Sequence, residues 1–484
     1  MEYIISHDFG TSSVKSSLFS TFGTLIKSVS TPLKTMSDKP GYAVQDARDW
    51  WRIFCANNKA LLSKAPRGHV LCVSFSTAFP SCLLVDKDVQ PLYPVMIWQD
   101  TRALEQAERI SEALPSKYTA RSPGGKMSPD RALVKLLWMK ENEPELYDSA
   151  HKMLPSASSY VIMKMTGRAV CDYAASYGTA MIERGKQDWC DEILGISGVS
   201  RELLPELCER TDIVGCVNER ISEECGLPAG TRIVCGTVDS DCTSIGGGLI
   251  NPGDAFFLGG TSAEIDALAP DGRKIGRPTS SSGSSLSWMR NNIGILEKIT
   301  ETENDYGDYS LINKRVAEAP VGSGGGIFIP YLAGERGLRN DPLARGSFTG
   351  ISLSTSRECL MRAVVEGIGF NLNLLLENIR AQGIEVTELP IVGGLGKGAE
   401  IRQIFADIMN VTLITYQHMD EAAVAGAAVI GGMGLGIYSD ISAIKKFMRF
   451  ADKTVPNEEN HKKYLEIMPV FEKTYQALKT LYNE

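Results

Sequence analysis

The chain has 484 residues, of which 43% are hydrophobic, and a formal net charge of −8. A single hydrophobic core stops growing before this length, so two domains are expected. The negative charge disfavours nucleic acid and acidic membranes as main partners, because both are bound by clustered cations. A small molecule remains as the expected partner.

The N-terminus and the cysteines predict a cytoplasmic protein. Met1-Glu2-Tyr3 leads directly into a strand pattern, without the basic and apolar regions of a signal peptide. The 11 cysteines include no C-x-x-C pair, which predicts reduced and mostly buried thiols rather than a zinc site. The Gly/Ala-rich run 422–438 is short of the strongly apolar residues that a membrane span needs, and it predicts a small-residue helix packed on a sheet.

The first half of the chain alternates strand and helix patterns. Strands are predicted at 3–6, 14–19, 25–30, 70–74 and 232–235, with helices from Ala103 and Asp130. Alternation that begins with hairpins is typical of a mixed sheet flanked by helices.

The second half repeats this order. Its predicted elements are hairpin strands at 254–258 and 264–268, a long helix at about 357–382, and a strand that ends in a glycine turn before a helix at 400–409. The Ser/Gly-rich stretches 279–287 and 322–326 are expected to be surface loops. The repeat predicts one domain at 1–246 and a second at 247–484.

Two Gly-Thr-Ser turns, about 250 residues apart, carry the strongest functional signal. One follows Asp8-Phe9 and the other follows the strand that ends at Leu258-Gly259. In each turn, backbone N–H groups and hydroxyls converge as they do in an anion-binding nest. Two such turns would hold a polyphosphate from both sides.

Phosphoryl transfer also needs a carboxylate that takes the proton of the acceptor. Asp239 follows the predicted strand 232–235 and is the favoured candidate, because a residue at a strand end is rigidly held. Asp241 is the competing candidate.

Taken together, the motifs resemble the FGGY family of carbohydrate kinases, in the actin and hexokinase superfamily. The resemblance runs through nearly the whole chain, and its motifs are residues 8–15, 41–46, 50–51, 98–102, 135–138, 143–145, 260–262, 330–336, 340–346 and 393–397. It implies two ribonuclease-H-like α/β domains with mixed sheets flanked by helices and a cleft between them. The first would bind sugar and the second nucleotide.

The resemblance implies ATP and Mg²⁺ as cofactors and assigns roles to residues. Asp239 matches the catalytic base and Asp8 the aspartate that organises the metal. The positions that match nucleotide contacts are Thr11, Ser12, Ser13, Lys15, Gly260, Thr261, Gly393, Gly394 and Lys397. For Lys15, the alternative to a nucleotide contact is that it is an exposed lysine on a strand. Glu335 and Arg336 lie in a loop that has a strong sequence pattern in the family. They have two equal alternatives, a functional role or a salt bridge that holds the loop.

The acceptor pocket is where the sequence departs from its relatives. The candidate acceptor-binding residues are Phe79, Pro80, Trp98, Asp100, Asp239, Ser240 and Glu264. Glycerol kinases have an Arg-Glu pair and xylulokinase-like members a Met-His pair where this chain has Phe79-Pro80. Since neither of these side chains hydrogen-bonds to a hydroxyl, we expect glycerol to bind poorly. Asp100 has an ion pair with Arg102 as its alternative role.

The sequence therefore predicts an ATP-dependent kinase for a sugar or polyol, in which domain closure excludes water. A ketose or pentulose such as D-xylulose is the first candidate. Gluconate, L-fuculose, L-ribulose, erythritol and glycerol stay open as acceptors. A non-catalytic, actin-like nucleotide-binding regulatory protein is the rival class. Relatives are often dimers, so a homodimer is expected by analogy.

Overall fold

The computed structural model describes residues 1–63, 68–119, 125–183 and 185–482. The chain divides into two compact units. Unit 1 comprises Met1–Gly246 and Ala423–Phe447, and unit 2 comprises Gly247–Ala422 and Met448–Glu484.

The first half of the chain contains thirteen described strands and ten described helices. The strands are β1 (Glu2–Phe9), β2 (Ser13–Ser20), β3 (Leu25–Pro32), β4 (Val44–Gln45), β5 (His69–Thr77), β6 (Leu83–Val85), β7 (Val95–Met96), β8 (Lys152–Leu154), β9 (Val170–Asp172), β10 (Glu206–Cys208), β11 (Ile213–Cys216), β12 (Arg232–Val234) and β13 (Thr237–Val238). The helices are α1 (Ala47–Leu62), α2 (Leu104–Ala113), α3 (Ser116–Thr119), α4 (Ala132–Asn142), α5 (Pro144–Ser149), α6 (Ala157–Thr166), α7 (Tyr173–Gly178), α8 (Asp191–Ser197), α9 (Glu219–Cys225) and α10 (Asp239–Gly246).

The second half follows the same alternation. Its strands are β14 (Ala255–Gly259), β15 (Ala263–Leu268), β16 (Lys274–Thr279), β17 (Ile327–Ile329), β18 (Ser347–Thr349), β19 (Glu388–Val392), β20 (Thr412–Tyr416) and β21 (Phe450–Thr454). Its helices are α11 (Gly283–Asn292), α12 (Ile295–Glu303), α13 (Ser310–Glu318), α14 (Arg357–Arg380), α15 (Ala399–Met409), α16 (Ala422–Gly434) and α17 (Glu458–Tyr482).

The main sheets of the two units have the same topology. In unit 1 the order is β3-β2-β1-β5-β12-β11, and in unit 2 it is β16-β15-β14-β19-β20-β21. In both sheets the first three strands are antiparallel, the next two pairings are parallel, and the last strand is antiparallel. The predicted mixed sheets and their repetition are confirmed.

Helices cover both sheets because the strands are apolar on both faces. In β1, Ile4 and Ile5 are adjacent in sequence, point to opposite faces and are both fully buried. Helix α1 packs against β2 and β3, and its N-terminus is capped by Asp46, which accepts a hydrogen bond from the Arg48 amide.

The predicted boundary at 246 coincides with the point where the chain first leaves unit 1, but the segment Ala423–Phe447 belongs to unit 1 rather than to the second domain. Helix α16 supplies the physical reason. A Cβ atom on Gly426 would lie 2.0 Å from the Cys242 carbonyl oxygen, and one on Gly431 would lie 3.0 Å from the Ser74 Cβ. These glycines let α16 approach α10 and the sheet of unit 1 closely, so it is a small-residue helix packed on a sheet.

Helix α14 is long and apolar enough to cross a membrane by length and composition. However, 89% of its most apolar 18-residue window is buried inside the protein, where it packs on β15, β16 and β17. Its N-terminus is capped by Ser356, which accepts a hydrogen bond from the Cys359 amide. The helix is therefore the core helix of unit 2.

The expectation of a surface loop at 279–287 is wrong, whereas 322–326 is a turn in which Gly324 and Gly325 are exposed and Ser323 is not. Thr279, Ser281, Ser282 and Ser285 are buried, and α11 begins at Gly283. Within 322–326, Ser323 is buried because its hydroxyl donates to Glu366 Oε2 over 2.7 Å. Internal hydrogen bonds of this kind let serine-rich segments occupy the interior.

All eleven cysteines are free thiols, and eight of them are buried, as the sequence predicts. Burial raises the pKa of the Cys72 and Cys82 thiols to about 12. The described residues contain no group of three or more His, Cys, Asp or Glu side chains that could hold a metal ion.

Candidate active site

Three parallel strands of unit 1 end at the edge of the sheet that carries the predicted catalytic residues. Ser76 on β5 lies in register with Asp8 on β1 at one side and with Thr237 on β13 at the other. Asp239 directly follows the last residue of β13. Because neighbouring strands are about 5 Å apart, Asp8 and Thr237 lie about two strand spacings, roughly 10 Å, from each other, and Asp239 follows two residues after Thr237 at the same edge.

Asp8 is held at this edge by its neighbours. The Ser76 hydroxyl donates to Asp8 Oδ1 over 2.6 Å. Lys15 on β2 lies directly opposite Asp8 in the antiparallel pairing, so both side chains are on the same face of the sheet. Lys15 is half-buried rather than exposed. This position supports a phosphate-side role for Lys15.

Asp239 is the first residue of α10, and Asp241 lies in the same first turn. Both side chains are half-buried. The Asp239 Oδ1 atom accepts a hydrogen bond from the Ser240 amide over 2.7 Å, while the Ser240 side chain is exposed. Asp239 thus stands at a helix N-terminus, a position that favours negative charge.

A buried carboxylate behind Asp239 was not predicted from the sequence. Asp172 accepts a 2.7 Å hydrogen bond from the Thr237 hydroxyl and another from the Ala174 amide. Burial raises the pKa of Asp172 to about 6. The only sequence signal is an aspartate before the helical pattern of α7, which is also common in plain N-caps. Asp172 fixes the end of β13, from which Asp239 extends.

The first Gly-Thr-Ser turn is braced by side chains from outside it. Gln45 donates from Nε2 to the Thr11 carbonyl oxygen over 2.8 Å and accepts from Trp50 Nε1 over 2.9 Å. Trp98 donates from Nε1 to Thr11 Oγ1 over 2.9 Å. The Ser12 carbonyl accepts from the Leu33 amide. The turn is thus held in shape before any ligand binds.

A small cavity lies beside this turn in unit 1. Its lining includes Phe9, Thr11, Gln45, Ser81, Ile97 and Trp98. Trp98 is 38% exposed, which is high for an indole and leaves a ring face accessible. An accessible aromatic face next to a polar turn suits the apolar face of a sugar.

Phe79 and Pro80 form an apolar wall rather than a polar one. Phe79 packs against Cys171, Ala175 and Val238. A Cβ atom on Gly178 would lie 2.5 Å from the Phe79 ring, so the glycine makes room for the aromatic side chain. Pro80 is buried. As predicted, this segment offers no side-chain hydrogen bond.

Lys135 lies directly behind the acceptor segments, although only its family motif was noted in the sequence. The side chain is fully buried on α4. Its Nζ donates to the Ile97 carbonyl oxygen over 2.6 Å and lies 3.5 Å from that of Pro80. Burial lowers the pKa of Lys135 to about 8. Lysine is rarely fully buried, and an apolar helix face that carries one is a signal that sequence reasoning could have used.

Asp100 is engaged inside unit 1 by Arg102 and by the Ala43 backbone. It is fully buried, forms a 2.6 Å ion pair with Arg102, and accepts from the Ala43 amide over 2.8 Å. The Arg102 guanidinium stacks 3.6 Å from the Tyr42 ring centroid. The ion pair is therefore the correct alternative of the two, because both Asp100 oxygens are engaged inside the protein.

Unit 2 brings the second Gly-Thr-Ser turn and the glycine turn together. Strands β14 and β19 are parallel, with Leu258 opposite Val392, so both turns follow at the same sheet edge. Gly393 has φ +93°, and a Cβ atom there would lie 2.5 Å from the Gly259 carbonyl oxygen. Only glycine fits this contact. Gly260 and Thr261 thus adjoin Gly393 and Gly394.

The rest of the glycine turn is more varied. Leu395 is buried, and a Cβ atom on Gly259 would lie 2.7 Å from the Leu395 Cβ. The Leu395 side chain therefore packs directly against Gly259 at the end of β14. Lys397 is largely exposed and pairs with Asp420 over 2.6 Å. Its ammonium is therefore accessible at the rim of the turn.

The N-terminus of α11 also meets this turn, which the sequence reasoning missed by assigning a surface loop. The Gly283 and Ser284 amides donate to the Gly260 and Thr261 carbonyl oxygens over 3.1 and 2.9 Å. A Cβ atom on Gly283 would lie 2.3 Å from the Gly260 oxygen. The spacing of Leu286 and Met289, which are both buried, was the available signal for a helix.

Glu264 lies just past the second turn and belongs to a carboxylate pair. Its Oε1 and the Asp266 Oδ1 lie 2.5 and 2.9 Å from the position of a Cβ atom on Gly276. Burial first, and then the Asp266 charge, raise the pKa of Glu264 to about 7. Asp266 also pairs with Lys274 over 2.9 Å. Glu264 is therefore a group that titrates near neutral pH, two residues after the second Gly-Thr-Ser turn.

Comparisons with known proteins agree with this geometry. Residues 3–246 match the N-terminal domain model of the FGGY family of carbohydrate kinases, and residues 255–435 match its C-terminal domain model. A xylulose kinase from Lactococcus lactis is 29% identical, with 98% of this chain and 97% of the relative covered. A gluconokinase from Bacillus subtilis is 26% identical, with 100% and 97% covered.

Among solved structures, a ligand-bound xylulose kinase from Lactobacillus acidophilus superposes with a TM-score of 0.84 at 25% identity, covering 100% of this chain and 99% of that one. The predicted two-domain fold of the actin and hexokinase type is confirmed by this likeness. The family models together span well over half of the chain. The chain therefore belongs to the FGGY family of carbohydrate kinases and is an ATP-dependent sugar kinase.

Proposed function

We propose that this kinase phosphorylates a ketose or pentulose, with D-xylulose as the first candidate acceptor. The observation that carries the proposal is the arrangement in unit 1, where Asp8 and Asp239 lie at one sheet edge. A cavity lined by Trp98 is beside the same turn. Xylulose kinases that match nearly the whole chain support this acceptor.

Asp239 acts as the general base in this proposal. It takes the proton of the acceptor hydroxyl while the oxygen attacks the γ-phosphorus of ATP and the bond to ADP breaks. Asp239 lies at the N-terminus of α10, and Asp172 holds β13 in place through Thr237. The two Gly-Thr-Ser turns, with Lys15, Gly393, Gly394 and Lys397, bind the nucleotide.

Asp8 is the residue that would hold Mg²⁺. Magnesium in nucleotide sites is bound by one or two carboxylates together with substrate phosphates, so a lone carboxylate beside a phosphate turn fits it. When bound, the ion would neutralise charge on the phosphates. Ser76 orients the Asp8 carboxylate for this role.

The acceptor wall supports a preference against glycerol. Phe79 and Pro80 provide only apolar surface, and Asp100 is engaged by Arg102. Without polar partners on this wall, a short polyol loses hydrogen bonds of about 1 kcal/mol each. A longer sugar instead covers the Trp98 ring and gains contact area.

Gluconate is the second candidate, because the full-length relatives include gluconokinases as well as xylulose kinases. The measurement that separates the candidates is ADP release with ATP and Mg²⁺ across D-xylulose, D-ribulose, L-ribulose, L-fuculose, gluconate, erythritol and glycerol. The highest kcat/KM with D-xylulose supports the proposal. A higher value with gluconate or glycerol overturns the choice of acceptor, and turnover that needs no acceptor overturns the transfer reaction.

We also infer a cytoplasmic location, which the eleven free thiols support because such cysteines suit a reducing compartment. A homodimer is proposed by analogy with the family, and its molar mass in solution tests it.

A further inference from the structure

The loop that contains Glu335 and Arg336 places the Arg336 guanidinium at the second Gly-Thr-Ser turn. Arg336 Nη2 lies 3.4 Å from the hydroxyl oxygen of Ser262, the last residue of the Gly-Thr-Ser sequence. The Arg336 backbone amide donates to Ser280 Oγ over 3.0 Å. Arg336 itself is exposed, so a ligand at the turn can reach it.

A buried carboxylate anchors this loop, and it does so without Arg336. Glu335 accepts hydrogen bonds from the Thr279 hydroxyl, the Asn371 amide and the Gly337 backbone amide, at 2.7, 3.2 and 2.7 Å. A Cβ atom on Gly337 would lie 2.1 Å from the Pro278 carbonyl oxygen, so the loop sits directly on β16. The predicted alternative of a salt bridge within the loop is therefore wrong, and Glu335 is the residue that fixes the direction of its neighbour.

The pairing of Arg336 differs from that of several arginines in unit 2, although among the described residues Arg277 and Arg345 also form hydrogen bonds without an ion pair. Arg290, Arg339, Arg362 and Arg402 each form an ion pair with a carboxylate. Among the described residues, the side chain of Arg336 forms one hydrogen bond, to a neutral hydroxyl, and no ion pair within 4 Å. The Glu264 carboxylate is near enough for its charge to interact with Arg336 but forms no ion pair with it, so most of the guanidinium donors remain open to a phosphate, an anion that arginine binds in two-pronged geometry.

We propose that Arg336 binds the terminal phosphate of ATP and stabilises the charge that spreads over it during transfer. This inference rests on the proposed function, in which the second Gly-Thr-Ser turn holds that phosphate. The acceptor oxygen forms a bond to the γ-phosphorus, the bond to the β–γ bridging oxygen breaks, and the hydroxyl proton goes to Asp239. Arg336 keeps its proton throughout and acts as a fixed cation.

The test compares Arg336→Met and Arg336→Lys with the wild type. Arg336→Met is expected to lower kcat/KM for ATP about 100-fold or more, the size found when a preorganised donor to a developing charge is removed. Arg336→Lys is expected to recover about tenfold of this loss, because it restores the charge but not the planar fork. The matched control is Arg273→Met, since Arg273 is exposed on the same unit and already paired with Asp271.

Binding of nucleotides separates a phosphate contact from damage to the fold. In calorimetry, Arg336→Met is expected to bind β,γ-methylene ATP at least tenfold more weakly than the wild type does. Its affinity for ADP is expected to fall by less than threefold. Equal weakening of both ligands, or kcat/KM for Arg336→Met within threefold of the wild type, overturns the role. Acceptor-independent or absent turnover of the wild type would instead defeat the proposed function, so the two failures are distinguishable.

Discussion

The indole N–H of Trp98 donates a hydrogen bond to the hydroxyl oxygen of Thr11 over 2.9 Å. An indole nitrogen is a donor only, so Thr11 Oγ1 must accept here, and the proton of its hydroxyl points elsewhere. That proton is available to a phosphate oxygen at the turn. Trp98, which is proposed to cover the sugar, thus also directs the hydroxyl proton of Thr11, which is proposed to hold the nucleotide.

Trp98→Phe tests this relationship, because it keeps an aromatic face and removes the N–H. Loss of one neutral hydrogen bond predicts a fall in kcat/KM for ATP of about two- to tenfold. The double variant with Thr11→Val is the control. Its effect should be smaller than the product of the two single effects, because both changes remove the same bond. Fully multiplicative effects would contradict the coupling.

Asp239→Asn should lower kcat by about 10² to 10⁴, since it removes a general base without changing shape. Binding of ATP, measured by calorimetry, should stay within about threefold of the wild type, because Asp239 lies on α10 in unit 1 and is not proposed to hold the nucleotide. Asp241→Asn is the matched control in the same helical turn. If Asp241→Asn is the inactive variant, the base has been assigned to the wrong residue.

Ser76→Ala removes the hydroxyl that orients Asp8. Residues that orient a metal ligand typically change metal affinity about 10- to 100-fold, so the concentration of MgCl2 that gives half-maximal activity should rise about tenfold. Activity at saturating Mg²⁺ should recover. A lower activity that no Mg²⁺ concentration restores would point to damage at the sheet edge instead.

Lys135→Met should raise the KM for the acceptor about tenfold and leave the KM for ATP unchanged. The ammonium bonds the carbonyl that precedes Trp98 and lies near that of Pro80, so it positions both acceptor segments. Methionine has a similar length and no charge to desolvate, which offsets part of the lost hydrogen bonds of about 1 kcal/mol each, so Tm should change little.

Lys140→Met on the same helix is its control, because Lys140 is exposed, donates to the Gly198 carbonyl and lies over the Tyr147 ring, away from the acceptor segments. A parallel loss of Tm and kcat with an unchanged acceptor KM would reduce Lys135 to a structural role.

Glu264 predicts a pH dependence of stability. Its pKa is raised to about 7, first by burial and then by Asp266, so the folded state favours the protonated form. The stabilisation is fully present below the unfolded pKa of about 4.5 and is lost as pH rises through 7, up to about 3 kcal/mol.

The wild type should therefore lose more Tm between pH 5 and pH 8 than Glu264→Gln, which has no titrating group there. Differential scanning calorimetry at both pH values measures the difference. Glu303→Gln, on an exposed residue of α12, is the control and should follow the wild type. Equal slopes for the wild type and Glu264→Gln would contradict the raised pKa.

Local patterns in the sequence were enough to locate the hairpins, the core helix α14 and the glycine turns, because each depends on side-chain periodicity or on a residue-specific backbone conformation. The order of the motifs was also enough to indicate the family. Asp239 and the two Gly-Thr-Ser turns stand where strands end, and a strand end can be recognised without knowing its neighbours in space.

Partners that are distant along the chain needed the tertiary structure. The Ala43 amide donates to Asp100, Gly426 and Gly431 bring α16 to unit 1, and Glu335 anchors the loop that directs Arg336 to Ser262. Whether a carboxylate is engaged, shared or available depends on which groups surround it at about 3 Å. Composition and spacing along one chain predict the chemical type of a residue, whereas packing alone decides which charges are already satisfied and which can meet a ligand.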